Sequence, residues 1–167
     1  MIRVRKLALF LAIVFCGGFA VGQSNLGAVQ LKNLRGALVT FSSVTQKDSL
    51  VLICFWASYS DESINELNAI NASYEKWKKS VPFKLMAVST DDESDAHKVR
   101  PLVNMNGWVF DVFTDVNGDL RKELDSKSVP QTMILKSGRV LFLQSGYSSG
   151  SENFLYEKLR AIAAGRY

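Results

Sequence analysis

The sequence has 167 residues, 47% of them hydrophobic, and a formal net charge of +4. That length holds one domain with a complete core and is too short for two of ordinary size. Arg3, Arg5 and Lys6 supply three of the four net charges within residues 1–22, which contain no acid, and the remaining +1 excludes the concentrated basic face that nucleic acid requires.

Residues 1–22 read as a signal peptide: a cationic start, an apolar run from Leu7 to Phe15, and small residues around Ala20-Val21-Gly22 before Gln23. Cleavage is expected after Gly22, giving an exported, periplasmic protein. The alternative is an uncleaved membrane anchor, although about 20 apolar residues are needed to cross a bilayer and this run reaches that length only with its glycines counted. Membrane contact is expected only through this segment, if it is retained. Cys16 follows the bulky Phe15, which disfavours a lipoprotein signal. Without the signal Cys54 is the sole cysteine, so any disulfide must be intermolecular.

Residues 23–35 show no strong period and are expected to lead into a domain spanning 36–167. Gly36 to Phe41 reads as a short strand and Ser42 to Ser49 as a polar loop. Leu50 to Trp56 is apolar on both parities, which predicts a central strand covered by helices on both faces. From Asp61 to Lys79 the residues Ile64, Leu67, Ile70, Tyr74 and Trp77 recur at helical steps. Ser60 is the candidate N-cap, with Asp61 and Glu62 complementing the helix dipole. Phe83 to Ser89 reads as a second core strand. A helix from Ala96 to Met105 follows, kinked or restarted by Pro101 and stopped at Gly107. Next come a strand from Val109 to Phe113, a turn at Asp115–Gly118, a short helix from Asp119 to Leu124, a hairpin around Ser137-Gly138, and a last helix bearing Leu155, Leu159 and Ile162. This order predicts a three-layer α/β domain: a central sheet mixing parallel and antiparallel pairs, flanked by helices.

Phe55-Trp56-Ala57-Ser58-Tyr59 followed by Ser60-Asp61-Glu62-Ser63 resembles the strand-to-helix junction of the thioredoxin-like superfamily, where Trp-Ala-x-Trp precedes Cys-x-x-Cys. Ser60 and Ser63 fall on the two cysteines. Glu66 matches an acid three residues after the second cysteine in bacterial exported thiol–disulfide reductases of the TlpA/ResA-like type. Val129-Pro130-Gln131-Thr132 is similar to the cis-proline loop, and Met133 to Phe142 resembles the closing hairpin. The resemblance runs from Gly36 to Ile162. It departs at Asn68, where many relatives have a helix-kinking proline, and at Tyr59, which replaces the usual tryptophan.

The resemblance implies a thioredoxin-like fold and, in its relatives, thiol–disulfide chemistry. That chemistry needs a thiolate that attacks a substrate disulfide and a second thiol that resolves the mixed disulfide. A serine hydroxyl can do neither, so no catalytic residue and no cofactor are expected. The expected function is protein or peptide binding in the cell envelope through Trp56, Tyr59, Ser60 and Pro130. The alternative is a monothiol enzyme using Cys54, six residues before Ser60, where thioredoxins place a buried acid. The plainer reading of Cys54 is a small apolar residue packed in the central strand. Ser63 and Glu66 read as first-turn and helix-surface residues. A hydrolytic Ser60 would need a base and an oxyanion site, but nothing aims the only histidine, His97, at it. Asp91, Asp92, Glu93 and Asp95 read as a solvated loop, since the spacing of an EF-hand is missing and no metal is expected.

Overall fold

The computed structural model describes residues 25–46 and 48–166. The expected signal segment, Cys16 included, lies outside the described residues.

Seven strands form one sheet: β1 (Gln30–Asn33), β2 (Leu38–Thr40), β3 (Leu50–Trp56), β4 (Lys84–Ser89), β5 (Asp111–Thr114), β6 (Gln131–Lys136) and β7 (Arg139–Ser145). Their order across the sheet is β2-β1-β5-β4-β3-β6-β7. The centre, β3-β4-β5, is parallel, and antiparallel pairs extend it on both sides. The helices are α1 (Phe41–Val44), α2 (Asp61–Ser80), α3 (Val99–Asn106), α4 (Asp119–Glu123) and α5 (Ser151–Ala163).

All seven residues of β3 are buried because the strand is covered twice. Leu52, Cys54 and Trp56 join the larger cluster with Leu67, Ile70 and Trp77 of α2, Val99 of α3 and Leu155 and Leu159 of α5. Val51, Ile53 and Phe55 point the other way, into the cluster holding Leu26, Phe41 of α1 and Leu120 of α4. The apolar pattern on both parities is thus the signature of a central strand.

Most elements lie where the residues predict. Pro101 restarts the chain: a 3-10 turn at Ala96–Lys98 gives way to α3, and the proline occupies the first helical turn, where its missing N–H leaves no bond unmade. Gly107 ends α3 at a φ of 62°. The β6–β7 hairpin turns through Ser137 and Gly138, both at positive φ, as a right-twisting two-residue loop needs. Asn68 leaves α2 unbroken from Asp61 to Ser80 and accepts a hydrogen bond from Trp108 Nε1 at 2.7 Å.

The lead-in differs from expectation. Residues 30–33 form β1, which pairs with both β2 and β5 and buries Leu31, so the sheet begins before Gly36. Its alternation is hidden because the strand is four residues long and buries only one of them fully. The predicted Gly36–Phe41 strand shortens to Leu38–Thr40, with Phe41 turning into α1.

Candidate functional site

The loop between β3 and α2 carries Tyr59 and Ser60. Ser60 has extended backbone (φ −105°, ψ 97°), and its side-chain oxygen accepts the Ser63 backbone N–H at 3.2 Å. The N-cap expectation for Ser60 holds. The Ser63 hydroxyl donates to Ser60 Oγ at 2.8 Å, so the two side chains form a closed pair at the positive end of a 20-residue helix. Contrary to the expectation of a solvated first-turn residue, Ser63 is fully buried.

Asp91 holds this loop from the end of β4. Its carboxylate accepts Ser58 N–H at 3.0 Å, the Ser58 hydroxyl at 2.7 Å and the Ser89 hydroxyl at 2.6 Å. Asp91 is therefore a buried clasp and not part of a solvated acidic loop, a role that Asp92, Glu93 and Asp95 do not share. Among the described residues, no group of three or more His, Cys, Asp or Glu side chains is placed to hold a metal ion.

Pro130 lies at the same end of the sheet, one residue before the Phe55–Gln131 register pair, and the Val129–Pro130 bond is cis. Gly146, after β7, donates its N–H to the Pro130 carbonyl at 2.9 Å, and Tyr147 N–H donates to Glu62 Oε1 at 2.5 Å. Residues 146 and 147 thus tie the proline loop to the first turn of α2.

Beneath the serines lies a buried polar group that the sequence reading placed on the surface. Glu66 is 2% exposed and accepts the Thr132 hydroxyl at 3.0 Å. Burial, reinforced by the nearby Glu62 charge and opposed by the Thr132 hydrogen bond, raises its pKa from 4.5 to about 7. A signal for this existed: Ser63, Glu66, Ile70 and Trp77 follow the helical spacing of the buried face. Cys54 is the cross-strand partner of Thr132 and is completely buried. Desolvation and the Glu66 charge push its thiol pKa well above the ordinary value. The packed-residue reading of Cys54 holds.

Two expected site residues separate. Tyr59 is 70% exposed, whereas Trp56 has no exposed surface and packs edge-on against Trp108 with ring centroids 5.0 Å apart. Trp56 supports the site from below and is not part of a binding surface. A strand-end aromatic reads the same in sequence whether it points into the core or out. His97 is exposed, and its Nδ1 lies 2.7 Å from the Ser94 carbonyl. It lines a cavity with Lys32, Leu34 and Arg100, away from the serine pair.

The structure is similar to that of an uncharacterized thioredoxin-like protein from Porphyromonas gingivalis, at 31% identity and a TM-score of 0.72, over 86% of this chain and 95% of the other. It is also similar to StoA from Bacillus subtilis (19% identity, TM-score 0.64, 81% and 99% covered). A cysteine-to-serine variant of peroxiredoxin Q from Xanthomonas campestris gives 19% identity, a TM-score of 0.68, and 83% and 93% covered. The last two likenesses concern the fold alone. No curated protein matches the sequence. The AhpC/TSA family model matches residues 24–142. With the sheet order, the helix-capping junction and the cis-proline loop in place, this chain belongs to the AhpC/TSA family and has its thioredoxin-like fold.

Proposed function

We propose that this is an exported thioredoxin-like protein in which Ser60 and Ser63 stand in the places of a reductase's two cysteines, and that it works by binding a protein or peptide in the cell envelope. The observation that carries this reading is the Ser60–Ser63 hydroxyl pair at the start of α2, beside the cis-proline loop, with Cys54 sealed in the core. Two hydroxyls at hydrogen-bond distance supply neither a thiolate nor a resolving thiol. The remaining surface, with exposed Tyr59, half-buried Ser60, and Lys127 and Ser128 exposed ahead of the buried Pro130, suits an extended peptide segment. Burial and a raised pKa weigh against the monothiol alternative, since a protonated, inaccessible Cys54 is a poor nucleophile.

Export is supported by the cationic, acid-free start and the apolar run from Leu7 to Phe15. No helix among the described residues is long and apolar enough to cross a membrane.

Insulin disulfide reduction, followed by turbidity for the protein and its Ser60→Cys/Ser63→Cys variant, tests the reading. Inactivity in the native protein with activity in the variant is the expected result, because the scaffold then lacks only its thiols. Activity in the native protein that Cys54→Ala abolishes would replace binding with monothiol chemistry.

A further inference from the structure

β4 and β5 are parallel neighbours whose outgoing connections diverge. The chain leaves β4 for α3 on one face of the sheet, where Val99 joins the larger cluster, and leaves β5 for α4 on the other, where Leu120 joins the smaller. Such a switch opens a crevice outside the carboxyl ends of the strands, the place where α/β sheets bind ligands. Here it is an open cavity of about 300 Å³, bordered by the loop after β4, the end of β5, and β1 with the turn that follows it.

The polar side chains around this cavity come from three separate segments. Leu31 and Phe113 belong to the smaller cluster, so strand alternation turns Lys32 and its register partner Thr114 towards the α3 face. There they line the cavity together with His97, from the 3-10 turn, and Arg100, from the first turn of α3. No ion pair or hydrogen bond among the described residues engages the Lys32 ammonium or the Arg100 guanidinium. Thr114 is 9% exposed, and its hydroxyl also has no partner among the described residues. That oxygen keeps access to solvent on the face the cavity occupies. His97 Nδ1 lies 2.7 Å from the Ser94 carbonyl. A carbonyl only accepts, so the ring proton sits on Nδ1 and Nε2 is the nitrogen left for a ligand. Glu93 is the one carboxylate among the described residues of the wall.

We propose that this cavity binds a small phosphate-bearing anion. Arg100 and Lys32 supply the opposite charge, the Thr114 hydroxyl donates to a phosphoryl oxygen, and His97 Nε2 accepts the P–OH proton of the monoanion. Donors on separate segments surround a ligand, which suits a tetrahedral group with three terminal oxygens. A planar carboxylate is gripped from one edge and carries no proton for His97 Nε2. Glu93 repels the anion and limits the affinity. The cavity lies two strands from β3, so the site stands whether or not the serine pair binds a peptide.

Titration of the protein with inorganic phosphate at constant ionic strength, followed by amide NMR shifts, tests the site. Saturable shifts at Thr114 and Arg100 with a Kd of about 1 mM or below are expected. Arg100→Gln and Lys32→Gln should each weaken binding about tenfold, and Glu93→Gln should tighten it. All three residues are exposed, so the substitutions leave the fold intact. No saturable shift by about 30 mM phosphate, or equal affinity in the wild type and an Arg100→Gln/Lys32→Gln double variant, overturns the proposal. Succinate bound as tightly as phosphate also overturns it, whereas weaker succinate binding supports it. Glycerol 3-phosphate separates the two sources of this chemistry: binding tighter than that of inorganic phosphate supports an esterified headgroup as the ligand, and weaker binding supports the free anion.

Discussion

Glu66 illustrates how far one carboxyl can bias the whole fold. Its pKa is about 7 in the folded protein against 4.5 unfolded, so the folded state holds a proton that the unfolded state has already released. Its contribution is complete below about pH 4.5 and is lost as pH rises through about 7, a fall of about 3 kcal/mol across that window. Glu66→Gln keeps the shape and the Thr132 contact without the charge. Urea unfolding at about pH 8 is expected to show the variant more stable than the wild type by 1–3 kcal/mol, with the advantage shrinking towards about pH 4.5. A variant equally destabilised at both pH values would show that Glu66 is ionised and satisfied in the core.

At the scale of elements, the start of α2 is fixed twice: by Ser60 capping the helix from within, and by Asp91 clasping the preceding loop from β4. The two devices differ in energy. A capping hydroxyl contributes about 1 kcal/mol, and a neighbouring water can replace part of it. Removing the Asp91 carboxylate strands the Ser58 amide, the Ser58 hydroxyl and the buried Ser89 hydroxyl, each at about 1–3 kcal/mol when left without a partner. Asp91→Ala is therefore expected to lower stability by about 3 kcal/mol or more, and Ser60→Ala by about 1 kcal/mol, in chemical denaturation. Equal losses would mean that the clasp is not what positions the loop.

For the whole molecule, the strand added outside the parallel centre decides how much of β5 is covered. β1 pairs with β5 through Lys32 and Asn33 and places Leu31 in the cluster with Phe41, Ile53 and Phe113. Leu31→Ala is expected to cost about 3 kcal/mol, the range of a buried leucine truncation, although the residue sits in a segment whose sequence shows no period. A loss under about 1 kcal/mol in thermal or chemical unfolding would make β1 a peripheral addition.

Most of the architecture, β1 excepted, is legible in the residues, because period and punctuation are local. The two-parity apolar run at Leu50–Trp56, the helical spacing from Ile64 to Trp77, the Ser60 cap, the restart at Pro101 and the Ser137-Gly138 turn each follow from residues close in the chain. The sequence by itself also placed Ser60, Ser63 and Pro130 in the order that resembles a thioredoxin-like junction. Tertiary structure alone decided the environment of each polar side chain. Glu66 faces Thr132 from 66 residues away, Asp91 reaches Ser58 across 33, and Tyr147 meets Glu62 across 85. Trp56 turned inward because the larger cluster on its face of the sheet, with Trp108, encloses it. A carboxyl's charge and a hydroxyl's partner depend on solvent exclusion, and that is a property of the packed layers and not of any window of sequence.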